Sequence, residues 1–464
     1  MSTARRIILL EFNELTPHLM ERFVDMGCLP HFKRLRDESQ VYTTEAAERG
    51  WELNPWVQWV TVHSGLDYCD HQIIELDEGD RLRAERVWDV VSAAGRPVWV
   101  CGSMNVGYQA SPKGAIMPDP WTTKVAPWPD ALKPFFRFVQ QSVLEHTSDH
   151  LALSRAEYAR FLAFMATHGM TAATFAAIAR QLASERFGGS RWRRAVLLDR
   201  LQFDVFRWYY RRLQPAFSTF FSNSTAHFQH FHWREMEPHL FRVQPSAEKL
   251  AEHERTILFG YQQMDALVGR FLRLAGRDAT LIFATAISQQ PCLAYEDQGG
   301  KMMYRPTDVS RLMQFAGVTQ PYTAAPVMAE VFILRFASDA DAAAAETTLA
   351  ALRVRSRPAM QLLRNGAEIN AKCQIHDPLD ANTTLSRGCA QAGEDETPFF
   401  KMFYALEESK SGMHHPDGML WIRVPGASPS RHTNKVPLAS LAPTILQLLS
   451  LPRPAHMKAA PLAV

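Results

Sequence analysis

Three clusters in this chain have the residue types and spacing that acid/base catalysis or metal binding requires. Residues 223–233, NSTAHFQHFHW, place His227, His230 and His232 within six positions. Glu11, Asn13 and Glu14 follow an apolar run, and His414 with His415 precedes another near the end of the chain. A carboxylate beside imidazoles in a partly desolvated cleft forms an acid/base pair, because each shifts the other's pKa. This makes Glu11, Glu14, His230 and His414 the candidate catalytic residues. His227 and His230 are three apart and share a face if their segment is helical. Asn13, Asn54, His63, His227, Gln289 and Gln290 supply donors and acceptors for sugar hydroxyls or phosphate oxygens. Each cluster also has a plain reading. Histidines in an aromatic segment satisfy one another's neighbours by hydrogen bonding, Glu11 pairs with a histidine to neutralise buried polarity, and the glutamines are turn residues.

The elements that must position these residues are readable from hydrophobic periodicity. RIILLEF is a continuous apolar run, the pattern of a strand buried on both faces. TPHLMERFVDMG then has helical periodicity, with Thr16 as N-cap and Pro17 at the first helical position. ERVWDVVSAAG with RPVWVCGSMN repeats the alternation, and FSTFFSNS and ATLIFATA are two more buried strands. Such alternation predicts an α/β fold, a mostly parallel central sheet with helices on both faces. Residues 1–120, 216–300 and 401–464 form its core. Residues 121–215 read as a helical insertion or cap, and 301–400, with VFILRF and an alanine-rich helix, as a small α+β insertion. GMHHPDG reads as a loop delivering a strand at Met419 to Val424. Ligands in such sheets sit at the C-terminal ends of strands, so the functional residues should follow Leu10, Ser222 and Ala284 or lie in the loop holding His414.

Composition excludes some classes. With 464 residues, 47% of them hydrophobic, the chain can bury a large core, and a formal net charge of +2 gives no field that would attract nucleic acid. The arginines of SRWRRAVLLDRLQFDVFRWYYRRLQP could meet a polyanion or a membrane surface, but apolar residues on every face of that helix favour packing. Cys28, Cys69, Cys101, Cys292, Cys373 and Cys389 show no paired spacing, which fits a reducing compartment. The apolar run Ile7 to Leu10 is too short for a signal peptide or a membrane span. The expected location is the cytoplasm.

Taken in order, these segments resemble the alkaline phosphatase superfamily, and within it the type I phosphodiesterase/nucleotide pyrophosphatase branch. LLEFNELTPHLMERFVDMGCLPHFKRL resembles the branch's opening strand, acidic metal ligand and helix. NPWVQWVTVHSGLDYCDHQI resembles its nucleophile helix, with matching spacing from Gly65 to His71. AHFQHFHW resembles a metal loop, and HHPDGMLWIRVPG with LAPTILQLLSLPRP resembles the last metal histidine and closing helix. The resemblance covers the first hundred residues, about 216–290 and the last fifty. It implies two zinc ions and an alkoxide nucleophile, and the matching positions depart from both. Glu11 replaces an aspartate, Pro55 beside Asn54 stands at the nucleophile position, Ala226 replaces the metal loop's aspartate, and Ala286 and Ile287 replace an aspartate and a histidine. Asn13 and Glu14 occupy positions that are small in the family. His230 and His414 remain.

Two-metal hydrolysis is therefore not expected. The leading expectation is an enzyme, a hydrolase or transferase, acting by metal-independent acid/base chemistry. Its substrate would be a small phosphorylated or nucleotide-activated molecule such as a nucleotide sugar, with a glycan acceptor in surface-polysaccharide assembly implied by the resemblance alone. No cofactor is expected on that reading. One alternative is a one-metal phosphodiesterase holding a single zinc or manganese at His227, His230 and His414; the other is a non-catalytic binding or scaffold protein. The oligomeric state is open.

Overall fold

The computed structural model describes residues 6–108, 111–145, 154–187, 191–326, 330–388, 396–406 and 409–464; Cys389 lies outside them. The strands that carry the site are β1 (Arg6–Phe12), β2 (Gln40–Glu45), β3 (Val98–Cys101), β4 (Gly114–Met117), β5 (Phe217–Ser222), β6 (Ala279–Ala284), β7 (Ser288–Pro291), β8 (Gly412–His415) and β9 (Asp417–Arg423). The order β2-β9-β6-β1-β5-β3-β4 builds one twisted sheet, extended at its β2 edge by two short strands. From β6 to β4 all pairings are parallel, whereas β9 runs antiparallel between β6 and β2. This is the mostly parallel sheet that the strand–helix alternation predicts.

Ile7, Ile8, Leu9 and Leu10 are wholly buried because β1 is central and covered on both faces. Side chains alternate along a strand. Ile8, Leu10 and Phe12 therefore enter one hydrophobic cluster, and Ile7 and Leu9 enter the other. The first cluster is closed by helices that include α1 (Pro17–Asp25), α2 (Pro30–Asp37) and several of the later ones; the second is closed by α3 (Pro55–Ser64) and a C-terminal helix. By the same alternation Glu11 falls on the Ile7/Leu9 face, toward α3. That placement is a consequence of register alone.

The segment expected as a helical insertion supplies α4 (Lys133–Glu145), α5 (Arg155–Thr167), α6 (Ala172–Arg186) and α7 (Ala195–Leu213). Two core helices follow, α8 (Ser224–Met236) after β5 and α9 (Thr256–Ala275) before β6, and α10 (Leu441–Leu448) closes the fold. Between β7 and β8 lie two four-stranded antiparallel sheets with their own hydrophobic cluster, including Leu312, Leu334, Leu349, Ile369 and Phe399. Arg335 of this unit bridges to the buried Asp77 of the core at 3.1 Å. Among the described residues no helix is long and apolar enough to cross a membrane.

Two local expectations need correction. Gln289 and Gln290, expected in a turn, lie on β7, which pairs antiparallel with β8, and His414, expected in a loop, sits on β8 opposite Gln289. This two-stranded ribbon is polar along its length and has no apolar alternation to announce it. The strand expected from Met419 starts earlier, at Asp417, which pairs with Glu45 of β2, and Gly418 beside it lies so close to the Ala286 carbonyl that a Cβ would stand 2.3 Å from the oxygen.

Candidate functional site

Two carboxylate–histidine stations form where β1 ends. The first joins β1 to α3. Residues four apart on a helix are separated by about 6 Å along its axis, close to the span of two residues on a strand. Trp59 and His63 thus face Asn13 and Glu11 in register. His63 Nε2 lies 2.8 Å from Glu11 Oε1, and the Trp59 indole donates to Asn13 Oδ1 at 2.8 Å. His63 is packed against the Trp59 and Trp88 rings, and Glu11 is fully buried. Neither side chain is open to a substrate. Glu11 therefore works by tying the end of β1 to α3.

The second station is built on Glu14, whose backbone is left-handed at φ +59°, a conformation that costs a non-glycine residue roughly 1 kcal/mol or more. Buried hydrogen bonds hold it. The Glu14 N–H donates to the Thr285 carbonyl at 3.2 Å, and Gln229 Nε2 donates to the Glu14 carbonyl at 2.8 Å. Gln229 is fixed in turn by the Tyr261 hydroxyl, which donates to Gln229 Oε1 at 2.7 Å and accepts from the Thr16 N–H at 2.7 Å. The turn aims the Glu14 carboxylate at α8 and β8. Asn13 Nδ2 donates to Glu14 Oε1 at 2.7 Å and Gln289 Nε2 to Oε2 at 2.6 Å. His230 Nε2 on α8 lies 3.1 Å from Oε2, and His414 Nε2 on β8 lies 3.5 Å from the same oxygen. The three ligand atoms all lie within 4.8 Å of one another.

The protonation pattern follows from the partners. The other ring nitrogen of His230, Nδ1, lies 3.1 Å from the Gly412 carbonyl, which can only accept, so Nδ1 carries a hydrogen. The His414 ring likewise meets the Leu53 carbonyl. Burial drives His414 down to about 3 against the pull of Glu14, and leaves it neutral. Burial works to raise the Glu14 pKa, but His230, His414 and the Lys410 ammonium outweigh it and hold the carboxyl at about 2. The result is an ionised Glu14 beside a neutral His414: burial keeps the imidazole neutral, and the groups around Glu14 overcome burial to keep its carboxylate ionised. With Nδ1 held by the Gly412 carbonyl, Nε2 is the His230 ring atom turned toward the Glu14 carboxylate, the backbone-oriented geometry of a histidine that can ligate a metal ion. The donor set, one carboxylate and two imidazoles, is that of an open three-ligand zinc site. The His230 and His414 side chains are 17% and 16% exposed while Glu14 is 2% exposed, so solvent reaches the imidazole edges and the carboxylate lies beneath.

The expected site residues divide accordingly. Glu14, His230 and His414 converge, with Asn13 and Gln289 orienting the carboxylate. His227 does not join them: α8 is helical as supposed, but His227 is exposed and its ring meets Phe231, so Glu14 takes the place expected for it in a three-ligand set. His232 stacks on His253 at 4.2 Å. Asn54 precedes α3 and donates to the Trp51 carbonyl at 2.7 Å, within its own turn. Gln290 donates to the His414 carbonyl at 3.2 Å and steadies the ribbon. Sequence reasoning missed Trp59, Gln229, Tyr261 and Lys410. The first three read as ordinary core residues. Lys410 follows the acidic stretch EES, and its backbone pairs with Lys301 at 3.0 Å.

Two consequences are measurable. Gly412 packs so closely that a Cβ there would stand 2.3 Å from the Gln229 carbonyl and 2.5 Å from Gln289 Oε1. Gly412→Ala is expected to push β8 from α8, to destabilise the fold by about 1–3 kcal/mol and to weaken metal binding. Urea unfolding and equilibrium dialysis check this. Asp199 on α7 accepts from Ser222 Oγ at 2.8 Å and Ser224 Oγ at 2.6 Å, and so fixes the junction of β5 and α8. Burial pushes its carboxyl up to about 6 against those two hydrogen bonds. The folded chain thus keeps a proton that the unfolded chain releases above about pH 4. This contribution is complete below that pH, falls away as pH rises to about 6 and is flat beyond, a loss on the order of 2 kcal/mol. Asp199→Asn is expected to remove that part of the slope in urea unfolding between about pH 4.5 and pH 7.

No family model matches this chain, and no curated protein does. Among solved structures it is similar to murine ectonucleotide pyrophosphatase/phosphodiesterase 5 in complex with AMP, at 10% identity over 97% of this chain and 96% of that one, with a TM-score of 0.43. It is also similar to the phosphonoacetate hydrolase of Sinorhizobium meliloti in complex with phosphonoacetate, with the same identity, coverage and TM-score. The human ectonucleotide pyrophosphatase/phosphodiesterase 5 is similar over the same shares of the two chains, at 9% identity and a TM-score of 0.44.

Proposed function

We propose that this chain is a single-metal hydrolase of small phosphate esters, with Glu14, His230 and His414 as its metal ligands. The observation that carries the reading is the convergence of both Nε2 atoms on one carboxylate oxygen, at 3.1 and 3.5 Å. A divalent cation bound there supplies Lewis acidity toward a phosphoryl oxygen and lowers the pKa of water near neutrality. The chain's own residues do the rest. Asn13 and Gln289 orient the Glu14 carboxylate, the Gly412 carbonyl holds the His230 ring, and Lys410 lies beside Glu14 where its charge favours an anionic substrate. Pro55 and Asn54 at the head of α3 offer no alkoxide, so this reading assigns the attack on phosphorus to water.

The phosphate-ester substrate rests on the sequence resemblance together with the position of the site at the C-terminal ends of parallel strands. Nucleotide-activated sugars belong to the same chemical class and are the first substrates to test. The described cysteines are all free thiols, which supports a cytoplasmic setting. The decisive assay is hydrolysis of a nitrophenyl phosphodiester by protein reloaded with zinc or manganese. Turnover that is abolished by chelator and restored by metal is expected, and turnover indifferent to chelator would instead support the metal-free acid/base reading.

A further inference from the structure

We propose that α6 docks the protein on an anionic lipid surface. Five of the thirteen exposed large hydrophobic side chains among the described residues lie between Tyr158 and Phe187, on α5, on α6 and just after α6. On α6 the arrangement is periodic. Thr174, Ala177 and Ile178 form the stripe that packs inward. Phe175, Ala179 and Leu182, at i, i+4 and i+7, form a second stripe facing solvent, with Phe175 64% and Leu182 52% exposed. Phe187 continues beyond it at 88% exposure, and Leu162 on α5 is 59% exposed. A surface helix whose solvent side is apolar leaves that area uncompensated, which marks an interaction surface.

Charge identifies the occupant. Residues 154–194 contain seven arginines and two glutamates, although the whole chain carries a net charge of only +2. Arg155, Arg160, Arg180, Arg186, Arg191, Arg193 and Arg194 are all exposed, and Glu185 is paired with Arg194. Arg186 lies at i+11 from Phe175 and ends the apolar stripe. A second copy of this chain meeting the face about a two-fold axis would set these arginines against themselves. Apolar side chains that enter the acyl boundary, fringed by arginines that reach phosphate headgroups, are the chemistry of helices that lie on membranes. The described chain contains no spanning helix, so attachment would be peripheral and reversible.

The test is flotation of the full chain with vesicles of phosphatidylcholine alone or with added phosphatidylglycerol, alongside sedimentation velocity without lipid. Binding to the phosphatidylglycerol vesicles, weakened by salt, is expected. It should fall on the order of tenfold in Phe175→Ser/Leu182→Ser and in Arg180→Glu/Arg186→Glu. These side chains are exposed, so both variants should keep the wild-type melting temperature and metal content, which separates this inference from the fate of the Glu14 site. Absence of binding to anionic vesicles, equal binding to both vesicle types, or self-association that the same substitutions abolish would each overturn it.

Discussion

Glu14→Gln is expected to yield a folded protein that no longer retains a divalent cation. Glutamine matches the carboxylate in shape, and the left-handed turn at residue 14 is held by its backbone bonds to Thr285 and Gln229, which the substitution leaves in place. What disappears is the negative charge facing His230 and His414. A neutral amide is a poor zinc ligand, and its NH2 group meets donors from Asn13 and Gln289 on either side. Metal affinity should fall by at least on the order of 100-fold, with hydrolysis falling in parallel. Asn13→Ala, which removes one bond orienting Glu14 together with the Asn13 contacts to Trp59 and Asn223, should weaken affinity by about tenfold. Equilibrium dialysis with metal analysis reads both. A Glu14→Gln protein with wild-type metal content would remove Glu14 from the ligand set.

The second large effect is on stability. His63→Ala leaves the Glu11 carboxylate fully buried without its partner, and should cost about 3–5 kcal/mol. Breaking one side of a buried pair is costly because the desolvated group that remains has nothing to answer it. Replacing both sides is different: Glu11→Leu with His63→Leu fills the space with apolar volume beside Trp59 and Trp88 and should come within about 1–2 kcal/mol of the wild type. The double variant should also keep its metal, since neither residue belongs to the Glu14 station. Urea midpoints of the single and double variants, compared with metal content, test the division of labour between the two carboxylates. A double variant as unstable as His63→Ala would contradict it.

The sheet was legible because its signals are local. RIILLEF and ATLIFATA are apolar without interruption, as strands covered on both faces must be, and Pro17 and Pro55 mark helix starts where the chain has them. The site was only partly legible. Glu14, His230 and His414 stood out by residue type, and strand ends were the right place to look. Their geometry depends on features with no local signature. The left-handed turn at Glu14 is imposed by distant hydrogen bonds, the β7–β8 ribbon is polar, and His227 faces solvent although it is only three residues from His230. Spacing on a helix shows which residues share a face within about 60°, not which of them that face presents to a partner. The carboxylate that meets His230 was equally hidden: Glu14 reaches it from the end of a strand more than two hundred residues away in sequence.

Metal-edge anomalous diffraction from zinc-soaked crystals tests the central claim most directly. One peak per chain is predicted, bonded to Glu14 Oε2 and to the Nε2 atoms of His230 and His414 at about 2.0–2.2 Å. A second peak at Glu11, or zinc-soaked crystals with no peak among these three side chains, would contradict the account.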